Sequence, residues 1–227
     1  MAKYKETSGY IIHTRAFKNS SLIVEFFSQD FGMMHLVAKG IKTNKHLKSQ
    51  LQFFNLTNVQ FYGKSSLKTI VSLNVLENFT LTNLVNKVSA MYLNELIHLS
   101  LLEGEPAKSL FESYKDSLQM IGETKLSTLL RYFEFQLLKH NGFELSVDNF
   151  QNRDDWLTIT QDHGLVTTTK KSLKLCLVSD LANFISGNKL SKKELKSVNK
   201  LLLAAINMSL SHKKIYSRDM LQTLLSK

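Results

Sequence analysis

The feature that most constrains this chain is a change of hydrophobic period near residue 80. From Gly9 to Asn74 the apolar residues come in short runs rich in Ile, Val, Phe, Tyr and Thr: Tyr10–Thr14, Leu22–Phe27, Met33–Val37, Gln52–Phe61 and Leu67–Asn74. Turn-prone groups separate them, namely Lys18-Asn19-Ser20-Ser21, Asp30-Phe31-Gly32, Gly40 to Lys45 and Gly63-Lys64-Ser65-Ser66. After Glu77 the spacing becomes helical, with Leu84, Val88, Met91, Tyr92, Leu96, Leu99 and Leu102 along one stripe. Five short strands without a long helical period predict a small closed barrel. The five-stranded oligonucleotide-binding (OB) barrel leads, and a small SH3-like barrel gives much the same periodicity. The fold class is therefore α+β: an N-terminal OB-type β-barrel over residues 1–80, then a mainly α-helical domain over 81–227 with an inserted β-hairpin near 156–169.

Within the second part, Gly104 and Pro106 stop the first helix. A second is predicted from Lys108 to Ile121, and a third from Ser127 to His140 closes at Asn141-Gly142, a favourable left-handed cap. These three are expected to pack as a bundle. Trp156–Thr160 and Leu165–Thr169 flank Gln161-Asp162-His163-Gly164 as a hairpin. Helices resume near Ser179, Ser191-x-x-Glu194 is a capping box for Leu195 to Leu210, and Ser217 is the expected N-cap of a last helix.

Charge is distributed unevenly over this frame. The formal net charge is +10, and residues 1–80 hold ten Lys/Arg against four Asp/Glu, a net of +6. From Phe31 to Leu76 there is no Asp or Glu, while Lys39, Lys42, Lys45 and Lys48 fall in the connection that follows the third strand, with His46 among them. A basic loop between strands with no acid to neutralise it is the electrostatic footprint of a polyanion binder, although a solvated lysine loop has the same composition. Phe53, Phe54, Phe61 and Tyr62 could stack on bases, but at least one of each pair is expected in the core.

Catalytic spacing is missing: the sequence contains no Walker A, GxGxxG, GxSxG or HExxH pattern. The seven histidines are scattered and Cys176 is the single cysteine, so neither a disulfide within the chain nor a cysteine-rich zinc site is expected, nor any other metal. Asp154-Asp155 is the one adjacent acid pair, a weak basis for a Mg²⁺-dependent nuclease. The N-terminus carries charge without an apolar core and the apolar runs are short, which predicts a cytoplasmic protein without a membrane partner. Arg131, in the third helix, can pair with Glu134 one turn on, or present a guanidinium to a partner's carboxylate beside an apolar groove. Lys192, Lys193, Lys196 and Lys200 make a helix face expected to be solvated.

Taken in order, several segments resemble one family. Tyr10–Arg15 (YIIHTR), Phe17–Gly32, Val37–Lys42 (VAKGIK) and Leu51–Leu56 (LQFFNL) are followed by Tyr92–Leu96 (YLNEL), Leu130–Phe143 and Tyr216–Leu221 (YSRDML). In that order and spacing they resemble RecO, a bacterial family of DNA repair and recombination mediators. Two departures stand out. Many members carry a glutamate in the turn that is Asn19-Ser20 here. Many also carry a four-cysteine zinc site after the position of Phe143, where this chain has no cysteine before Cys176. The resemblance is therefore to the zinc-free branch, in which packing, with the Trp156 hairpin as substitute, holds that segment.

The resemblance implies a mediator without covalent catalysis or cofactor. Such proteins bind single- and double-stranded DNA, anneal complementary strands, and cooperate with RecR in loading RecA on DNA coated by single-stranded DNA-binding protein (SSB), in the cytoplasm and on the nucleoid. On that basis Arg15, Lys39, Lys42, Lys45, Lys48, Lys64 and Lys68 are the expected phosphate contacts. Arg131, with Lys139 second, is expected to receive the acidic, phenylalanine-ending SSB tail. An RNA-binding or ribosome-associated OB module accounts for the basic barrel equally well and leaves the helical segments unexplained.

Overall fold

The computed structural model of the chain describes residues 4–41 and 43–226. Strands β1 (Lys5–Phe17), β2 (Ser21–Ser28), β3 (Gly32–Ala38), β4 (Leu56–Tyr62) and β5 (Leu67–Glu77) close into a barrel in the order β1-β2-β3-β5-β4, with β4 returning to β1. All neighbours are antiparallel except β3 and β5. This is the expected five-stranded OB barrel. Its interior is filled by alternate residues, among them Ile11, Val24, Phe26, Leu36, Val59 and Phe61. In Leu22–Phe27 the outward positions Ile23 and Phe27 are apolar and buried too, because the outer face of β1 and β2 is also covered. Tyr10 packs on Tyr114 with ring centroids 5.0 Å apart, and Phe27 on Phe111 at 5.3 Å.

The basic connection after β3 differs from the expectation of a loop. Lys45–Gln50 form a helix, α1, whose N-cap Asn44 accepts from the Leu47 amide at 2.9 Å. Leu47 is the only buried residue of the helix and seals the barrel interior. Six residues with one apolar anchor carry no readable helical period, so turn chemistry dominated the sequence signal. β4 also starts later than expected, because Phe53-Phe54 turn with Phe54 at φ +69° before the strand begins.

Two compact units follow from the packing. The first holds residues 1–123 and 215–227: the barrel with α2 (Leu84–Ser100), α3 (Lys108–Met120) and α7 (Tyr216–Leu225). The second, 124–214, holds α4 (Leu126–His140), the strands β6 (Trp156–Thr160), β7 (Gly164–Thr167) and β8 (Cys176–Leu177), then α5 (Val178–Ile185) and α6 (Lys192–Ser209). The expected three-helix bundle is thus divided, with α4 packing on α6 and α7 on α2.

Ser217 is not an N-cap. Ile215 takes that position, and the cap is supplied by Glu95 of α2, which accepts from the amides of Tyr216 (2.9 Å) and Ser217 (2.8 Å) and from the Ser217 hydroxyl. The Ser191–Glu194 capping box forms as expected, and its hydrogen bonds hold the Glu194 carboxyl below the usual carboxylate range. In the second unit the hairpin gains a third strand, β8, beside β6. Burial pushes the Cys176 thiol up to about 12, so it stays protonated near neutrality. Among the described residues no helix is long and apolar enough to cross a membrane.

Candidate nucleic-acid interface

Strand register divides the expected cations between the two ends of the barrel. A single row of paired residues runs Arg15, Ile23, Val37, Thr69, Tyr62 through β1, β2, β3, β5 and β4. Arg15 lies in that row and Lys39 is two residues beyond it toward the β1–β2 turn, whereas Lys68, one residue away, and Lys64, two residues away, lie on its opposite side, because β5 runs parallel to β3 and antiparallel to β4. The β1–β2 turn is tied to the start of the next connection by the Ile41 amide, which donates to the Ser20 carbonyl at 2.8 Å. From the same end the chain enters α1, on which Lys45 and Lys48 are exposed. Lys42 lies outside the described residues.

Among the described residues, none of Arg15, Lys39, Lys45, Lys48, Lys64 and Lys68 forms an ion pair, and all but the half-buried Lys68 are exposed. Arg15 and Lys39, with Lys45 and Lys48 on the helix that follows, leave unpaired like charges at one end, an arrangement that a bound polyanion relieves. Two further cations were missed by sequence reasoning. Lys18 sits in the β1–β2 turn beside Arg15, and Lys5 shares with Lys68, Phe31 and Phe61 the lining of a pocket of about 220 Å³, its ammonium 5.7 Å from the Phe31 ring centre. Asp30 and Glu103 line the same pocket, so that flank is of mixed charge. Of the aromatics, Phe61 is core, Tyr62 packs edge-on against Tyr4, and Phe53 is 42% exposed after α1.

A second basic site lies wholly in the second unit. Arg131 donates from Nη2 to Oε1 of Glu134, a carboxylate only 1% exposed, so the pair forms and is buried. Above it, Lys125, Ser127, Arg131, Lys192, Lys196 and Asn199 line a pocket of about 300 Å³. Ser127 and Lys192 belong to the first turns of α4 and α6, so two helix N-termini add their positive ends. The buried Arg131 Nε and Asn199 Oδ1 have no partner within the protein. Lys139 is exposed farther along α4 and is not part of the lining, whereas Lys192 and Lys196, expected to be solvated, are. Their convergence with Arg131 depends on α4–α6 packing, which no local pattern announces. Asp155, for its part, accepts from Asn152 Nδ2 at 3.1 Å within a loop turn.

Two family models match in tandem: Recombination protein O N terminal over residues 1–79 and Recombination protein O C terminal over residues 81–150. A DNA repair protein RecO of Francisella philomiragia is 31% identical over 228 residues, spanning 93% of this chain and 93% of its own. The chain belongs to the RecO family. Its similarity to RecO proteins of Idiomarina loihiensis (28% identical, 92% and 94% of the two chains) and Francisella novicida (28%, 96% and 96%) also runs nearly end to end. In this RecO-family chain, the segment after Phe143 contains the sheet β7-β6-β8, in which Leu157, Ile159 and Cys176 are buried. A DNA repair family with a barrel of this topology fits the cationic connection after β3 described above.

Proposed function

We propose that the protein is a recombination mediator that binds single- and double-stranded DNA through residues 1–80 and anneals complementary strands. With RecR it helps load RecA on SSB-coated DNA, while the helical part, 81–227, docks the acidic SSB tail. It acts in the cytoplasm, on the nucleoid, without covalent catalysis. The observation that carries this reading is the cationic end beside the β1–β2 turn, with Arg15 and Lys39 within two residues of one row and Lys45 and Lys48 on the helix that leaves it, while Lys64 and Lys68 add charge on the other side of that row. Cations there neutralise the phosphates of two strands at once, lowering their repulsion so that bases find register without ATP. Such contacts position a backbone without reading sequence.

Lys39→Ala/Lys45→Ala/Lys48→Ala is therefore expected to weaken single-stranded DNA binding about tenfold or more, equally for unrelated sequences. It should also flatten the log–log salt dependence by roughly 0.7 per lost phosphate contact. Fluorescence anisotropy across a salt series reads both quantities; unchanged affinity and slope would move the DNA site away from this connection. The function as a whole is tested by annealing complementary oligonucleotides coated with intact SSB or with SSB lacking its acidic tail. Annealing that is accelerated and depends on the tail is the expected result. Tail-independent annealing would remove the docking role, and a preference for structured RNA without annealing would support an RNA-binding module instead.

A further inference from the structure

On the outer face of the barrel, two residues from Arg15 along β1, a buried carboxylate stands between two imidazoles. Glu25 on β2 is 8% exposed, and His98 Nδ1 lies 2.5 Å from its Oε2 while His13 Nδ1 lies 3.6 Å from its Oε1. The two rings stack, with centroids 4.7 Å apart and planes 29° from parallel. One potential ligand atom from each residue lies within 4.8 Å of the others, the only such grouping of three among the described residues.

Local structure explains how residues so far apart in sequence meet. In a regular strand His13 and Ile11 would share a face, and Ile11 is in the barrel interior. The β1–β2 register shifts between Ile11 and His13, so Ile12 is an extra residue that turns His13 to the outer face opposite Glu25. The carbonyls freed there accept from Asn94 Nδ2 of α2, at 3.4 Å for Ile11 and 3.1 Å for Ile12. His98 follows Asn94 by four residues on the same helix face, which sets its ring over Glu25. The bulge and the helix face thus deliver the two imidazoles to one carboxylate.

We infer that His13, Glu25 and His98 form a binding site for a divalent transition-metal ion, with zinc the ion whose ligand preferences they fit. Two neutral imidazoles and a carboxylate are a common zinc ligand set, and bonds of 2.0–2.2 Å in a tetrahedral sphere put donor atoms roughly 3.3 Å apart. The His13–Glu25 spacing already matches, and the His98–Glu25 pair opens by under ~1 Å to admit the ion. His13 Nδ1 is buried and has no hydrogen-bond partner in the protein, as a nitrogen reserved for a ligand would be. Side-chain exposures of 46% for His13 and 36% for His98 leave an entry path and a fourth position for water. His35, the β3 neighbour of Glu25, is engaged instead with Glu103 at 3.2 Å. A bound ion would join β1, β2 and α2 covalently in all but name, clamping the helix on the barrel.

The test uses the full chain stripped of metal with a chelator, then titrated with Co²⁺ as an optical probe and with Zn²⁺ in competition. One equivalent of Co²⁺ is expected to give visible ligand-field bands that Zn²⁺ abolishes. Zinc at a hundredfold excess over its Kd should raise the Tm by roughly 5 °C. His98→Ala and Glu25→Gln should bind at least ~10-fold more weakly, and so should His13→Gln, whose exposed side chain keeps the fold intact. His163→Ala, in the second unit, should bind as the parent does. Absence of stoichiometric binding, or equal affinity in His13→Gln and the parent, would overturn the site and leave a hydrogen-bonded ion-pair cluster.

Discussion

Gly32→Ala is expected to destabilise the barrel by about 3 kcal/mol or more, the sum of a left-handed backbone penalty and an overpacking penalty. Gly32 closes the β2–β3 hairpin opposite Ser28 at φ +63°, and a Cβ built there would stand 1.9 Å from the Glu105 carbonyl oxygen and 2.7 Å from its carbon. Neither neighbour can move cheaply. Ser28 Oγ accepts from the amides of Asp30 (3.1 Å) and Phe31 (3.0 Å), and Thr7 of β1 holds Asp30 through a 2.6 Å hydrogen bond. On the other side the Gly104 amide donates to the Met33 carbonyl at 2.9 Å, which pins the segment leaving α2 against β3. Gly104→Ala is the control: its φ is +76°, yet nothing lies within 4 Å of the added methyl, so about 1 kcal/mol is expected. In urea or thermal unfolding, Gly32→Ala should lower the Tm by roughly 6–12 °C. A loss no larger than that of Gly104→Ala would mean that the residue 105 carbonyl yields freely.

The barrel was legible because each strand alternates apolar and polar or is bounded by Gly, Asn and Ser turns, and those signals act over five or six residues. Helices α2 to α6 were legible for the same local reason, and Ser191–Glu194 cap α6 as their spacing predicts. What escaped was decided across the chain. The cap of α7 comes from Glu95, more than a hundred residues earlier, so Ser217 looked like the better local cap. α1 escaped for the opposite reason, since six residues with Leu47 alone buried leave no period to detect.

For the functional residues the divide is similar. That residues 31–76 are basic without acids is visible in the sequence, but the placing of Arg15 and Lys39 at one end, with Lys64 and Lys68 toward the other, follows from register. The histidine cluster draws on two strands and a helix, so its residues look scattered along the chain. Counting outward from the β1–β2 turn, Phe17 opposite Ser21, reaches His13 opposite Glu25, a signal the sequence did contain. His98 could be added only once α2 was docked on the barrel.

Arg131→Ala should abolish binding of the SSB tail and, by itself, prove little. The pair it breaks is buried, with Glu134 1% exposed, and leaving that carboxylate without its guanidinium costs about 3–5 kcal/mol in the second unit. Weak binding by such a variant could reflect a loosened α4 as much as a lost contact. Arg131→Met/Glu134→Leu separates the two effects, because replacing both charges with apolar groups of similar volume is about neutral or stabilising. The double variant is expected to melt at or above the parent's temperature, to anneal uncoated strands normally, and to bind a tail peptide at least ~30-fold more weakly. Lys125, Lys192 and Lys196 remain around the pocket in that variant, so residual binding should be purely electrostatic and vanish at high salt. A folded double variant that binds the tail as tightly as the parent would show that the carboxylate of the tail is received elsewhere. The unpartnered Arg131 Nε and Asn199 Oδ1 would then need another ligand.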